Sequence, residues 1–197
     1  MTARPNSAKG DWIKQLRFDM AFAERTLLEQ GEVSAMFVVH TKDAKHVIGA
    51  PARDDAEKRV MLAMVRAYCI ALDAQALTFV SEAWLRSVQR APNETEREFQ
   101  ARTNAVRPRE AEDRVEVVMV VLAFRDGAGE RQIVSDTKEI ERRANGKPSG
   151  LKPYQVGGQA RGWSGRMVDI FPEEAPTEVE RLAARAVLRA AGLGELG

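Results

Sequence analysis

The chain holds a single cysteine, Cys69, in 197 residues. No internal disulfide can form, and no CxxC metal or redox motif exists. Cys69 falls inside an amphipathic helical stretch, where a buried, inert thiol is a commoner outcome than a nucleophile. Histidine is nearly as scarce, with only His40 and His46. Also missing are a GxxxxGKS/T phosphate loop, a GxGxxG turn after a strand, a GxSxG elbow and an HExxH helix. Their absence lowers the case for an enzyme and leaves no cofactor or bound metal to expect. No apolar run reaches the ~20 residues of a membrane helix. The opening MTARPNSAKGD has no apolar signal core, so a cytoplasmic chain with no membrane partner is expected. A net charge of +1 argues against nucleic-acid binding over the whole surface, though a local basic patch stays compatible with it.

What is present is organised around residues 114–124, RVEVVMVVLAF. In an extended chain Val117, Met119 and Val121 share one face, and Val118, Val120, Leu122 and Phe124 the other. A strand apolar on both faces belongs in the middle of a sheet covered on both sides. Residues 1–10 read as a flexible lead-in. From Asp11 the spacing of Trp12, Leu16, Met20, Ala23 and Leu27 predicts a helix ended by Gly31, with Lys14, Arg17, Asp19 and Glu24 on its solvated side. Residues 33–40 and 45–50 predict a hairpin whose turn is flanked by the two histidines, which can face each other across it. Residues 54–72 predict a helix capped by Asp54, with Val60, Met64, Ala67, Tyr68 and Ala71 on one face. Residues 76–81 predict a third strand running into Glu82-Ala83-Trp84.

The polar connection 85–112 has no sustained period, although Asn93 and Glu96 can cap a short helix there. After the central strand, RDGAG signals a hairpin turn, and residues 131–138 return as a polar edge strand. Composition changes at Arg142. From there to Arg166 the chain carries Arg142, Arg143, Lys147, Lys152, Arg161 and Arg166, Tyr154 and Trp163, abundant glycine and no acid. Such a stretch can track a nucleic-acid backbone and stack bases. It also reads as a loop-rich arm pinned by its aromatics. Residues 166–171 suggest a short strand. Thr177 and Glu180 then form a capping box for a helix over 177–191, with Val179, Leu182, Ala186 and Arg189/Ala190 on one face. That helix can pack on its own sheet or on another subunit.

These elements predict an α+β protein with a largely antiparallel sheet of about five strands. A core domain over 11–140 is followed by a basic arm over 141–175 and a C-terminal helix over 176–197. The order resembles the roadblock or longin-like arrangement, an analogy of fold that carries no function.

Chemistry is most concentrated where Glu82 and Trp84 end one strand and Arg107, Arg109, Glu110, Asp113, Arg114 and Glu116 lead into the next. Antiparallel pairing would gather these groups at one edge. Carboxylates held together can bind a divalent cation or share a proton. Paired with the arginines, they form a structural rim instead, worth ~0–1 kcal/mol per surface pair. The same residues, SEAW followed by RPRE and DRxE before a long apolar strand, resemble a family of small bacterial and phage proteins with no assigned activity. The resemblance spans about 33–138 and implies no chemistry. The leading expectation is a non-enzymatic accessory or interaction protein of a mobile element, with a protein partner or a homo-oligomer. A metal-assisted hydrolase using Glu82, Glu110, Asp113 and Glu116 is the first alternative. The second is a nucleic-acid module working through 142–166.

Overall fold

The computed structural model describes residues 6–51, 54–86, 88–106, 110–154 and 169–193. Four helices and six strands follow one another as α1 (Asn6–Gln30), β1 (Met36–His40), β2 (Lys45–Gly49), α2 (Asp55–Ala71), β3 (Ala76–Leu85), α3 (Glu96–Ala105), β4 (Val115–Arg125), β5 (Arg131–Arg142), β6 (Pro148–Pro153) and α4 (Glu178–Ala190). The strands form a single antiparallel sheet in the order β2-β1-β3-β4-β5-β6.

The run that reads as a two-sided strand is β4, flanked by β3 and β5. Val118, Val120, Leu122 and Phe124 pack under α1 together with Leu16, Met20, Ala23 and Leu27. Ala123 lies on the opposite side with Phe37, Val39, Leu77 and the α2 residues Leu62, Val65 and Cys69. Alternation across the pleat thus feeds two separate cores from adjacent residues of one strand. Gly31 ends α1 at φ +89°, its N–H on the Leu27 carbonyl at 2.8 Å, a left-handed cap that glycine takes without Cβ strain. Asp54 caps α2 by accepting the N–H groups of Ala56 and Glu57, both at 2.8 Å.

Several expectations are corrected. The first helix begins at Asn6, so the lead-in is shorter than ten residues. β3 continues through Leu85, which places SEAW inside a strand and not at its end. β5 reaches Arg142 and is an interior strand, because β6, drawn from the expected basic arm, pairs with it and supplies a sixth strand. Pro148 and Pro153 bracket β6, and a proline has no N–H to pair, which limits the length of this edge strand. Residues 169–171 form a turn and no strand. α3 is capped by Thr95 with Glu98 and not by Asn93. Val60 is 64% exposed, off the sheet face of α2.

The C-terminal helix packs mainly on α2. Ala184 and Leu188 of α4 pack on Ala67 and Ala71 of α2, so α4 forms an outer layer. Three arginines hold the irregular segment that leads to it. Arg66 donates to the Asp169 carbonyl. Arg125 donates to the carbonyls of Ala74 (2.9 Å), Pro172 (3.3 Å) and Glu174 (2.7 Å), and its guanidinium lies 4.7 Å from the Phe171 ring centroid. Arg131 donates to the Phe171 carbonyl at 3.2 Å. A buried chain without regular structure needs partners for its carbonyls, and these guanidiniums provide them.

Candidate functional site

The SEAW junction is assembled by the β3–β4 register, in which Trp84 opposes Glu116 and Glu82 opposes Val118. Opposed residues of an antiparallel pair share a face, so Glu82, Trp84 and Glu116 lie together on the α1 side. There Glu116 receives Arg142 through two bonds of 2.6 Å, Nε to one carboxylate oxygen and Nη2 to the other. Nη1 of the same guanidinium reaches the Gly146 carbonyl at 2.9 Å. Glu82 accepts the Val33 N–H at 2.5 Å. Burial raises the Glu82 carboxyl above its ordinary pKa, opposed by the Val33 bond; the Glu116 charge adds to the rise and Arg142 counters it. Arg114 lies over the Trp84 ring at 5.0 Å from its centroid.

The other predicted members go elsewhere. Asp113 is 3.9 Å from Arg86 and well exposed, and Glu110 is an exposed residue of the turn that precedes β4. Arg107 and Arg109 lie outside the described residues. Among the described residues, no three His, Cys, Asp or Glu side chains are grouped to hold a metal ion. A bidentate arginine locks the end of β5 to β4, and Glu82 ties the chain leaving α1 to β3.

The basic stretch is divided by the same contacts. Arg142 is bound to Glu116, and Lys152 pairs with Glu139 across the β5–β6 ladder at 2.9 Å. Arg143 and Lys147 line a cleft of about 520 Å³ beside the last turn of α1. Arg161, Trp163 and Arg166 lie outside the described residues.

The two histidines are not partners. His40 opposes Lys45 and His46 opposes Val39, which puts the imidazoles on opposite faces of the sheet. His40 is buried, and its Nε2 is 2.8 Å from the Thr78 hydroxyl, which donates to Asp19 at 3.0 Å. Gln15 donates to the other Asp19 oxygen at 2.5 Å and accepts from Lys45 at 2.8 Å. Trp12 packs edge-on to His40 at 5.6 Å and stacks on Phe124 at 6.0 Å between centroids. With the Thr78 proton directed to Asp19, the His40 ring donates through Nε2–H and is neutral. Burial and then the Lys45 charge lower its pKa to about 4. Burial raises Asp19 above the ordinary carboxylate value, against the Thr78 and Gln15 bonds and Lys45. A hydroxyl activated for attack has a base beside it and the carboxylate behind that base. Here the hydroxyl lies between carboxylate and imidazole, so the chain is a polar staple joining α1, β1 and β3. The helical spacing puts Asp19 on the solvated side of α1, and the structure buries it instead. It sits one position before Met20, and nothing local marks it as the residue that turns inward to a strand threonine.

Cys69 is buried, with its thiol pushed up to about 12 by burial, the inert state expected of it.

The feature most open to a partner is the outer face of α4. Val179, Leu182 and Val187 are 76%, 52% and 54% exposed. Val179 and Leu182 lie with Ala183, Ala186 and Ala190 on the side of the helix away from Ala184 and Leu188, while Val187 lies on its flank, one turn from Ala184. The C-terminal helix therefore turns its expected apolar face outward and docks through a narrow alanine-rich seam. The architecture is that of an α+β protein with an open antiparallel sheet, helices on both faces and an added outer helix. Set against family models, curated proteins and solved structures, the chain matches none. Among the described residues no helix is long and apolar enough to cross a membrane.

Proposed function

We propose that this chain is a non-enzymatic interaction protein that engages a protein surface through the outer face of α4. The observation that carries the reading is the row Val179, Leu182, Ala186 and Ala190, exposed on a helix whose opposite side is already docked on α2. Helix-in-groove or helix-on-helix association uses such i, i+3, i+4, i+7 anchors.

The metal-assisted hydrolase reading has less behind it. Glu116 is occupied by Arg142, Glu82 by a backbone N–H, and Asp113 stands apart beside Arg86. Binding of nucleic acid through the basic stretch is likewise weakened, since Arg142 and Lys152 are already neutralised by Glu116 and Glu139.

A photo-crosslinking residue at Leu182, compared with one at Arg97 on the polar helix α3, tests the proposal in cells expressing the chain. Discrete protein adducts from position 182 and none from position 97 are expected. Equal labelling at both positions, or no adduct from Leu182, would sink it.

A further inference from the structure

We infer that the surface covering the outer face of α4 is the α4 of a second copy, packed antiparallel across a twofold axis. The inference rests on α4 being the contact surface and names its occupant from the arrangement of side chains on that helix. Along the outer face, Val179 and Leu182 occupy the first turns and Ala186 and Ala190 the last. Antiparallel pairing about the middle of the helix brings Val179 over the partner's Ala190, Leu182 over the partner's Ala186, and Ala183 over the partner's Ala186. Large residues then meet small ones at both ends, and alanines at the centre let the backbones approach.

The charges bordering this face are self-complementary in the same orientation. Glu178 and Arg189 are about three turns apart at 3.6 residues per turn, and so lie on one border of the stripe. An antiparallel copy places each opposite the other, giving two reciprocal ion pairs. Arg181 and Arg185, on the same side, are committed within the chain, to Asp73 at 3.1 Å and to the Ala71 carbonyl at 3.2 Å. Arg189 has no carboxylate partner among the described residues; its Nε reaches only the Arg185 carbonyl, at 3.5 Å. Glu178 spends one oxygen on Arg181 and remains 62% exposed. The exposed aromatics of α1 make a poorer self-docking face, because the Lys45 ammonium lies 5.5 Å from the Phe18 ring and would repel its own copy. A helix of 13 residues spans about 20 Å. Two such helices crossing hide less than the roughly 800 Å² per partner of a standard interface, so the dimer is weak and dissociates on dilution.

Sedimentation of the full chain over about 1 μM to 1 mM tests this. The wild type should move from monomer to dimer mass within that range. Leu182→Asp, on an exposed position, should weaken dimerisation at least about tenfold. Glu178→Lys and Arg189→Glu should each weaken it about three- to tenfold, and the two together should restore it to within about threefold of wild type. Far-UV spectra and thermal midpoints matching wild type are required of each variant, and Leu182→Ala replaces Leu182→Asp should the latter lose helix. A wild type that stays monomeric throughout, or a dimer indifferent to both Leu182 variants, overturns the inference. A double exchange no better than the singles overturns the antiparallel geometry. Monomeric wild type with adducts of a foreign protein at position 182 removes the homodimer and leaves α4 as the contact surface. No adduct at all removes both.

Discussion

At the scale of single residues, the structure separates side chains that look alike in the sequence. His40 and His46 differ by one strand face, and that places one in a buried polar chain and leaves the other at the surface. Because the folded His40 pKa is lowered from 6.5 to about 4, the unfolded chain binds the extra proton between those values. Stability supplied by the neutral imidazole is complete above about pH 6.5 and is lost as pH falls toward 4. Asp19, with a raised pKa, acts in the opposite sense, so the histidine is isolated by comparing the wild type with His40→Gln, which can still donate to Thr78. Unfolding free energies measured from pH 7 to 4 should fall by about 3 kcal/mol more in the wild type than in His40→Gln. Parallel curves would show that His40 is not held neutral by the fold. Glu116 makes a second residue-level case. Glu116→Gln should lower stability by about 0.5–1 kcal/mol, since it removes the bidentate partner of the exposed Arg142. Mg²⁺ or Mn²⁺ should not move the wild-type midpoint. A metal-induced rise that Glu116→Gln abolishes would restore the metal-site reading.

At the scale of elements, β4 feeds both cores. Val120 faces α1 and is fully buried, between Val80 of β3 and Asp136 of β5 in the ladder. Val120→Asp should prevent soluble folding, because an unpaired charge there costs several kcal/mol against a total of ~5–15. A soluble variant with a normal melting transition would mean that β4 is not the centre of the sheet. The basic stretch is the element whose character the fold changes most. As PSGLKP it has no strand-like pattern, and it becomes β6 because β5 extends far enough to offer an unpaired edge. α4 is the reverse case. Its capping box and length are readable in advance, with Thr177 and Glu180 bonded as the spacing predicts. Its orientation is not, because Ala184 and Leu188 take the contact with α2 while the stripe of Val179, Leu182, Ala186 and Ala190 faces outward.

At the scale of the whole molecule, the outer helical layer is joined to the sheet largely through the arginine-held segment before α4. Arg125→Leu removes donors to three carbonyls and the stacking on Phe171. It should cost about 2–4 kcal/mol and raise proteolysis within 172–176 before the sheet unfolds. Unchanged cleavage there, with a midpoint equal to wild type, would show the clamp to be incidental. The sequence by itself determined the α+β class, the antiparallel sheet, the two-sided central strand, the inward stripe of α1 and the caps of α2 and α4. Those features rest on periodicity and on hydrogen bonds between residues three or four apart, which local spacing encodes. Only the tertiary structure decided that Arg142 pairs with Glu116, that Asp19 turns inward to Thr78, and that α4 turns Val179 and Leu182 to solvent. Each of those outcomes joins residues dozens of positions apart, and strand register and helix docking, which no local pattern specifies, set which groups meet.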